Sequence, residues 1–193
     1  MRDHRGRIRL AAALVLGTAL LAGCSEDAAA PSESLPSATS APTTEALPVV
    51  GPADFPVPPA ARTQDAAGAE TFLRYWIDLL ERQQAVPAGQ PLRDLGPDCG
   101  ECQRIARVFD ETAASGWRYQ GGELTLNDVP APVMEGETAY VSFGIRQEAV
   151  QRVDATGAPV DDGQDVAPNV FGGINLIWSA ASQSWVVTGF GYG

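Results

Sequence analysis

Residues 97–102 read Pro-Asp-Cys-Gly-Glu-Cys, and they set Cys99 and Cys102 three positions apart where a helix begins. Two thiols at that spacing can do three kinds of chemistry: close a disulfide, exchange disulfides, or supply half of a zinc site. A zinc site needs two more ligands. The chain offers only Cys24 and His4 besides, both near its N-terminus. Exchange has physics behind it, because a helix N-terminus stabilises a thiolate. Thiol oxidoreductases, however, place the pair after a strand in a βαβ unit. Here a loop broken by Pro87, Gly89 and Pro91 precedes it. A structural disulfide, Cys99–Cys102, requires nothing else and is the reading we adopt, with surface thiol–disulfide exchange as the alternative.

Other chemistry is scarce. His4 falls in a leader sequence, so the remaining chain has no histidine for nucleophile activation, general-base work or metal ligation. The acidic run of residues 154–165 carries Asp154, Asp161, Asp162 and Asp165, but not at the spacing of a calcium-binding helix–loop–helix. We read it as a solvated loop between strands. The glycines of residues 171–176 and 189–193 do not sit between a strand and a helix, so they do not form a phosphate cradle. They suit bulges or close backbone approach. Neither cofactor nor metal is expected, no catalytic constellation stands out, and the protein is read as non-enzymatic.

The N-terminus assigns a compartment. Arg2, Arg5, Arg7 and Arg9 precede an apolar run from Leu10 to Leu21. That run is short of the roughly 20 residues a spanning helix needs and suits a signal peptide. It ends in Leu21-Ala22-Gly23-Cys24, which resembles the lipobox of bacterial lipoproteins. The resemblance implies cleavage after residue 23, acylation of Cys24 and a protein anchored on the extracytoplasmic face of the bacterial cell membrane, where two acyl chains hold stably. Such a compartment is oxidising and favours the Cys99–Cys102 disulfide. Loss of the leader removes four of 13 basic residues and one of 24 acidic ones, leaving a more acidic domain of 9 Arg and no Lys. Such a surface repels phosphate backbones, so nucleic acid is excluded as a partner.

Residues 24–60 are rich in Ala, Pro, Ser and Thr without hydrophobic period and read as a disordered tether. As a coil it spans roughly 35 Å. Residues 61–193 read as one domain. Phe72, Trp76, Leu79 and Leu80 form a helical stripe opposite Arg74, Asp78, Glu81 and Arg82, and the spacing predicts Arg74–Asp78 and Asp78–Arg82 ion pairs. Asp98 and Glu101 suggest a capping box for a second helix, about 101–115, with Cys102, Ile105, Ala106, Phe109 and Ala113 inward and Gly116 as its stop. Beyond it the period turns to two. Strands are predicted over 117–128, over 137–150 and in a hairpin whose arms carry Trp178 and Trp185. The fold class is therefore α+β, two helices packed on a curved, mainly antiparallel four-stranded sheet.

The lipobox, the tether, the entry Phe55-Pro56-Val57-Pro58-Pro59, the helix Phe72–Leu80 and the Cys99–Cys102 pair resemble a family of actinobacterial lipoproteins catalogued as domain of unknown function 6318. The resemblance covers about 54–193 and carries no activity with it. Separately, the element order is similar to the NTF2-like, cystatin-like cones, by analogy of architecture alone. Cones of that kind place a pocket between helix and sheet, and Trp76, Phe143, Trp178 and Trp185 are the residues expected to line it. The expected partners are an envelope protein, a wall component or a small apolar ligand, in addition to the membrane itself; a pocket enzyme is the further alternative.

Overall fold

The computed structural model describes residues 47–193. The signal sequence, Cys24 and the tether as far as residue 46 lie outside the described residues. Three helices, α1 (Ala66–Ala85), α2 (Gln90–Leu95) and α3 (Gly100–Ala114), come first. Seven strands follow: β1 (Arg118–Gly121), β2 (Leu124–Asp128), β3 (Val133–Glu135), β4 (Thr138–Gln147), β5 (Val150–Val153), β6 (Ala167–Ser179) and β7 (Ser184–Tyr192). The architecture is α+β, with the strands in two antiparallel sheets.

The larger sheet runs β2-β4-β6-β7, and β3 pairs with the other end of the β4 edge that β2 occupies. The smaller sheet is β1 with β5. Four strands were expected; one bend splits the first of them and separates β5 from β4, and the short β3 is additional. Gly121 and Gly122 both take positive φ, +73° and +88°, a region open to glycine and costly for other residues. Opposite them the Gly122 N–H donates to the Ala149 carbonyl (3.0 Å), and the Glu148 N–H to the Glu123 carbonyl (2.9 Å). The predicted strand 117–128 thus becomes β1 and β2, while the strand predicted over 137–150 ends as β4 at Gln147 and β5 starts only at its last residue, Val150. The β1–β5 arm forms a separate two-stranded sheet.

Helix α1 is buried well beyond the expected single stripe. Phe72, Trp76, Leu79 and Leu80 face inward, but Leu73, Tyr75 and Ile77 are buried too. The second flank is covered by the chain that enters the domain. Val57 is buried, and the Phe55 ring stacks on Tyr75 at 5.3 Å. The last residues of the segment read as tether therefore pack on α1, and the packed chain begins ahead of residue 61. Neither predicted α1 ion pair forms: Arg74 bonds Glu70 at 2.7 Å and Arg82 bonds Asp54 at 2.5 Å. Asp65 caps α1, accepting from the Gly68 N–H at 2.7 Å.

Between α1 and the sheet the core is closed. Trp76 meets Phe190 edge-on at 5.7 Å, and Phe143 stacks on Phe190 at 6.1 Å. Trp178 and Trp185 face each other across the β6–β7 hairpin at 5.3 Å. Gly172 is required here, since a Cβ would stand 2.6 Å from the Phe143 ring. The entry segment is pinned to the hairpin. Arg62 donates to the carbonyls of Pro48 (2.7 Å) and Gln183 (3.0 Å), and the Trp185 indole N–H donates to the Thr63 carbonyl (3.0 Å).

The two fully buried indoles differ in one respect: the Trp76 N–H has no partner among the described residues. Losing a buried partner costs about 1–3 kcal/mol. Trp185→Phe orphans the Thr63 carbonyl, whereas Trp76→Phe removes an already orphaned donor. The expected outcome is that Trp185→Phe destabilises more, by at least about 1 kcal/mol in urea unfolding; equal midpoints would contradict the assignment.

Candidate functional site

The cysteine pair is closed off from solvent. The two sulfurs lie 2.01 Å apart, at disulfide distance, and both residues are 0% exposed. Cys99 itself is the N-cap of α3, its sulfur accepting from the Cys102 N–H at 3.1 Å. The capping box expected of Asp98 and Glu101 is therefore replaced, because Glu101 turns outward to Arg104 (2.9 and 2.5 Å). The loop expected before it contains α2, which packs on α3 and is joined to it by the Arg93–Asp110 pair. Exchange requires an accessible thiol, and burial denies one.

The expected pocket is filled. Trp76, Phe143 and Trp185 are core residues at 1% exposure or less, and Trp178 is half-buried in the hairpin. Trp76 and Phe143 pack against Phe190, and Trp185 against Trp178. On the second helix Thr112 is buried in place of Ala113, its hydroxyl bonding back to the Val108 carbonyl at 2.8 Å.

A groove opens elsewhere, where the β1–β5 arm bends away from the sheet. Its volume is about 520 Å³, with a side branch of about 240 Å³ running between α3 and the end of β7. Ile105, Val108 and Phe109 of α3 form one wall, and Tyr119 of β1 with Val150–Arg152 of β5 the other. Leu124 and Phe190 underlie the branch, and Tyr192 borders both spaces. The rings are braced, Tyr119 edge-on to Phe109 (5.8 Å) and Tyr192 edge-on to Phe190 (5.8 Å). Gln84 from α1, Gln147 from β4 and Gln164 from the loop after β5 border both spaces as well. Their side-chain amides make no hydrogen bond among the described residues. Gln151, by contrast, is engaged with the Asp161 carbonyl at 3.0 Å.

The arginines at the groove are already paired. Arg104 is held by Glu101, and Arg152 by Asp161 at 2.6 Å while lying 5.5 Å from the Trp117 ring. The hydrogen bond from Arg104 holds the Glu101 carboxyl below its usual range, and that from Arg152 does the same for Asp161. Burial, with Glu101 adding to it, raises the Tyr192 phenol. A carboxylate acting as general acid near neutral pH would need the opposite shift. Among the described carboxylates whose proton affinity is raised, Asp78 owes it to burial and lies on the far flank of α1 beside Phe55 and Tyr75.

Within the acidic loop Asp154 and Asp161 are locally satisfied. Asp154 accepts from the Thr156 N–H (2.8 Å) and the Ala158 N–H (3.0 Å), which makes it a turn former. Among the described residues no three Cys, His, Asp or Glu side chains gather in a metal-ligating cluster.

No protein-family profile matches the chain, and no curated protein does. Among solved structures it is similar to the intermembrane space region of the chloroplast protein ARC6, at 19% identity and a TM-score of 0.51, covering 67% of this chain and 97% of that one. That likeness shows the fold alone. An NTF2-type protein is aligned at 10% identity over 65% of this chain and 99% of that one, with a TM-score of 0.39, too low to carry an argument.

The buried pair generates a prediction. In native conditions neither sulfur should yield to mild reductant or alkylating agent, and both should react after unfolding. Replacing both cysteines with Ala should lower stability by about 2 kcal/mol, the chain-entropy value for so short a loop. Rapid reduction of the folded protein would restore the exchange reading.

Proposed function

We propose that this protein is a lipid-anchored, extracytoplasmic, non-enzymatic binding domain, and that its ligand occupies the groove between α3 and the β1–β5 arm. The observation that carries the reading is the groove's composition: three unpartnered amides and braced rings, with every nearby arginine neutralised. This equipment recognises; it does not transfer protons or electrons. Its volume falls within the roughly 300–1,000 Å³ of common ligand sites. A small apolar ligand fits poorly, since it would strand the amides without partners.

The anchoring part rests on the lipobox at Cys24. No described helix is long and apolar enough to cross a membrane. We read the fold as an NTF2-like cone, supported by the helices laid over one face of a bent antiparallel sheet. The entry segment is fixed at the β6–β7 hairpin through Arg62, while the groove opens beside Tyr192 at the other end of β7. Eight residue steps separate these ends, about 26 Å at ~3.3 Å per step. Such a domain would meet its tether at one pole and its ligand at the other, which suits capture of an envelope component away from the bilayer.

Cell fractionation with labelled palmitate tests the anchor: the wild type should be labelled and membrane-bound, and Cys24→Ala neither. A photo-crosslinking residue at Val108 should capture a discrete envelope component that the same residue at Ile177, on the outer sheet face, does not. Equal capture at both positions would contradict the groove as the site.

A further inference from the structure

We infer that the groove ligand is a short extended peptide without acidic side chains, held partly by main-chain hydrogen bonds to the free edge of β7; this deepens the groove reading above and rests on it. Among the described residues, strand β7 ends the larger sheet and is paired on one side only, to β6. The Gly193 N–H donates to the Phe171 carbonyl at 3.3 Å. Antiparallel alternation then turns the N–H and C=O groups of Tyr192 and Phe190 to the opposite side, the unpaired edge. Phe190, Gly191 and Tyr192 themselves border the branch of about 240 Å³, together with Glu101, Arg104 and Ile105 of α3. The two residues whose main-chain donors and acceptors stay unpaired among the described residues are thus also residues that line this space.

The side chains around that edge match the same ligand. A glutamine amide offers two donors and one acceptor without charge, the complement of a peptide group. Gln84, Gln147 and Gln164 bring three such amides to the junction of groove and branch. Addition of a strand to a free edge uses main-chain bonds for affinity and neighbouring pockets for alternate side chains. Ile105, Val108 and Tyr119 supply apolar walls for those side chains. A saccharide would use the amides and rings but has no need of an extended edge.

Charge sets the remaining restriction. Arg104 and Arg152 are each committed to a carboxylate, so an acidic ligand meets no free cation there. It meets instead the exposed Asp162 at the rim and a chain of net charge −11. Like charges brought together in this way oppose binding and slow encounter.

The test uses the full-length chain in mild detergent against a displayed library of random twelve-residue peptides, with a glycan array run in parallel. Selected peptides should be depleted in Asp and Glu. Their affinity should fall at least tenfold in Gln147→Ala and in Gln164→Ala, the second lying on an exposed loop where folding is not at stake, and stay unchanged in Ile177→Arg. An N-methyl scan of the tightest peptide should abolish binding at alternate residues within the docked stretch, the signature of edge pairing. Loss at every position or at none would overturn the edge-docked peptide. Glycans that bind in a Gln147-dependent way, with no peptide selected, would keep the groove and overturn the peptide. Absence of any ligand sensitive to Gln147 or Gln164 would overturn both.

Discussion

The double glycine at 121–122 is the constraint on which the rest of this domain turns. Both residues sit at positive φ, opposite the Ala149 carbonyl, and the ladder that starts as β2–β4 resumes as β1–β5 only after changing direction. A Cβ at Gly122 would lie 2.7 Å from the Val150 side chain and from the Gln84 amide oxygen. Without that bend the two ladders would continue as one flat ribbon. With it, the β1–β5 arm stands off from the sheet, and the space it leaves is the groove.

Everything else holds the walls of that space in place. The Cys99–Cys102 link and the Cys99 cap fix where α3 starts, and the Arg93–Asp110 pair ties α3 to α2. Phe109 is thereby brought into edge-on contact with Tyr119. On the opposite side the packed aromatic set of Trp76, Phe143 and Phe190 fills the sheet's inner face and forces open space to the periphery. The protein thus separates a rigid interior from a polar cleft. Ion pairs at the cleft remove charge without removing hydrogen-bonding capacity, since the glutamines remain unengaged.

The sequence carried the large elements and misjudged the small ones for definable reasons. Helices α1 and α3 and the β6–β7 hairpin show a clear period, and Phe72, Trp76, Leu79 and Leu80 of α1 are buried where that period puts them. The short α2 was hidden by Pro91, which reads as a breaker yet is tolerated in a helix's first turn. Strand β5 was hidden because its partner β1 is about 30 residues away and its apolar ends, Val150 and Val153, continue the pattern of β4. Counting four tryptophans suggested a pocket, but large rings fill space as readily as they line it. The actual groove is assembled from residues scattered over α1, α3, β1, β4, β5, β7 and the loop after β5, so no local pattern announces it. One trace was present: Ile105 and Val108 widen the apolar face of α3 past the buried stripe, and both end up lining the groove.

The central claim is that the bend creates a ligand site whose polar groups await main-chain-like partners. The most direct measurement is a crystal structure of the protein soaked with N-methylacetamide, the smallest mimic of a peptide group. The account predicts density for the amide between Gln147 and the free edge of Phe190–Tyr192, with the α3 wall unmoved. A groove closed by α3 settling onto β7, or amide density confined to the outer face of the sheet, would contradict it.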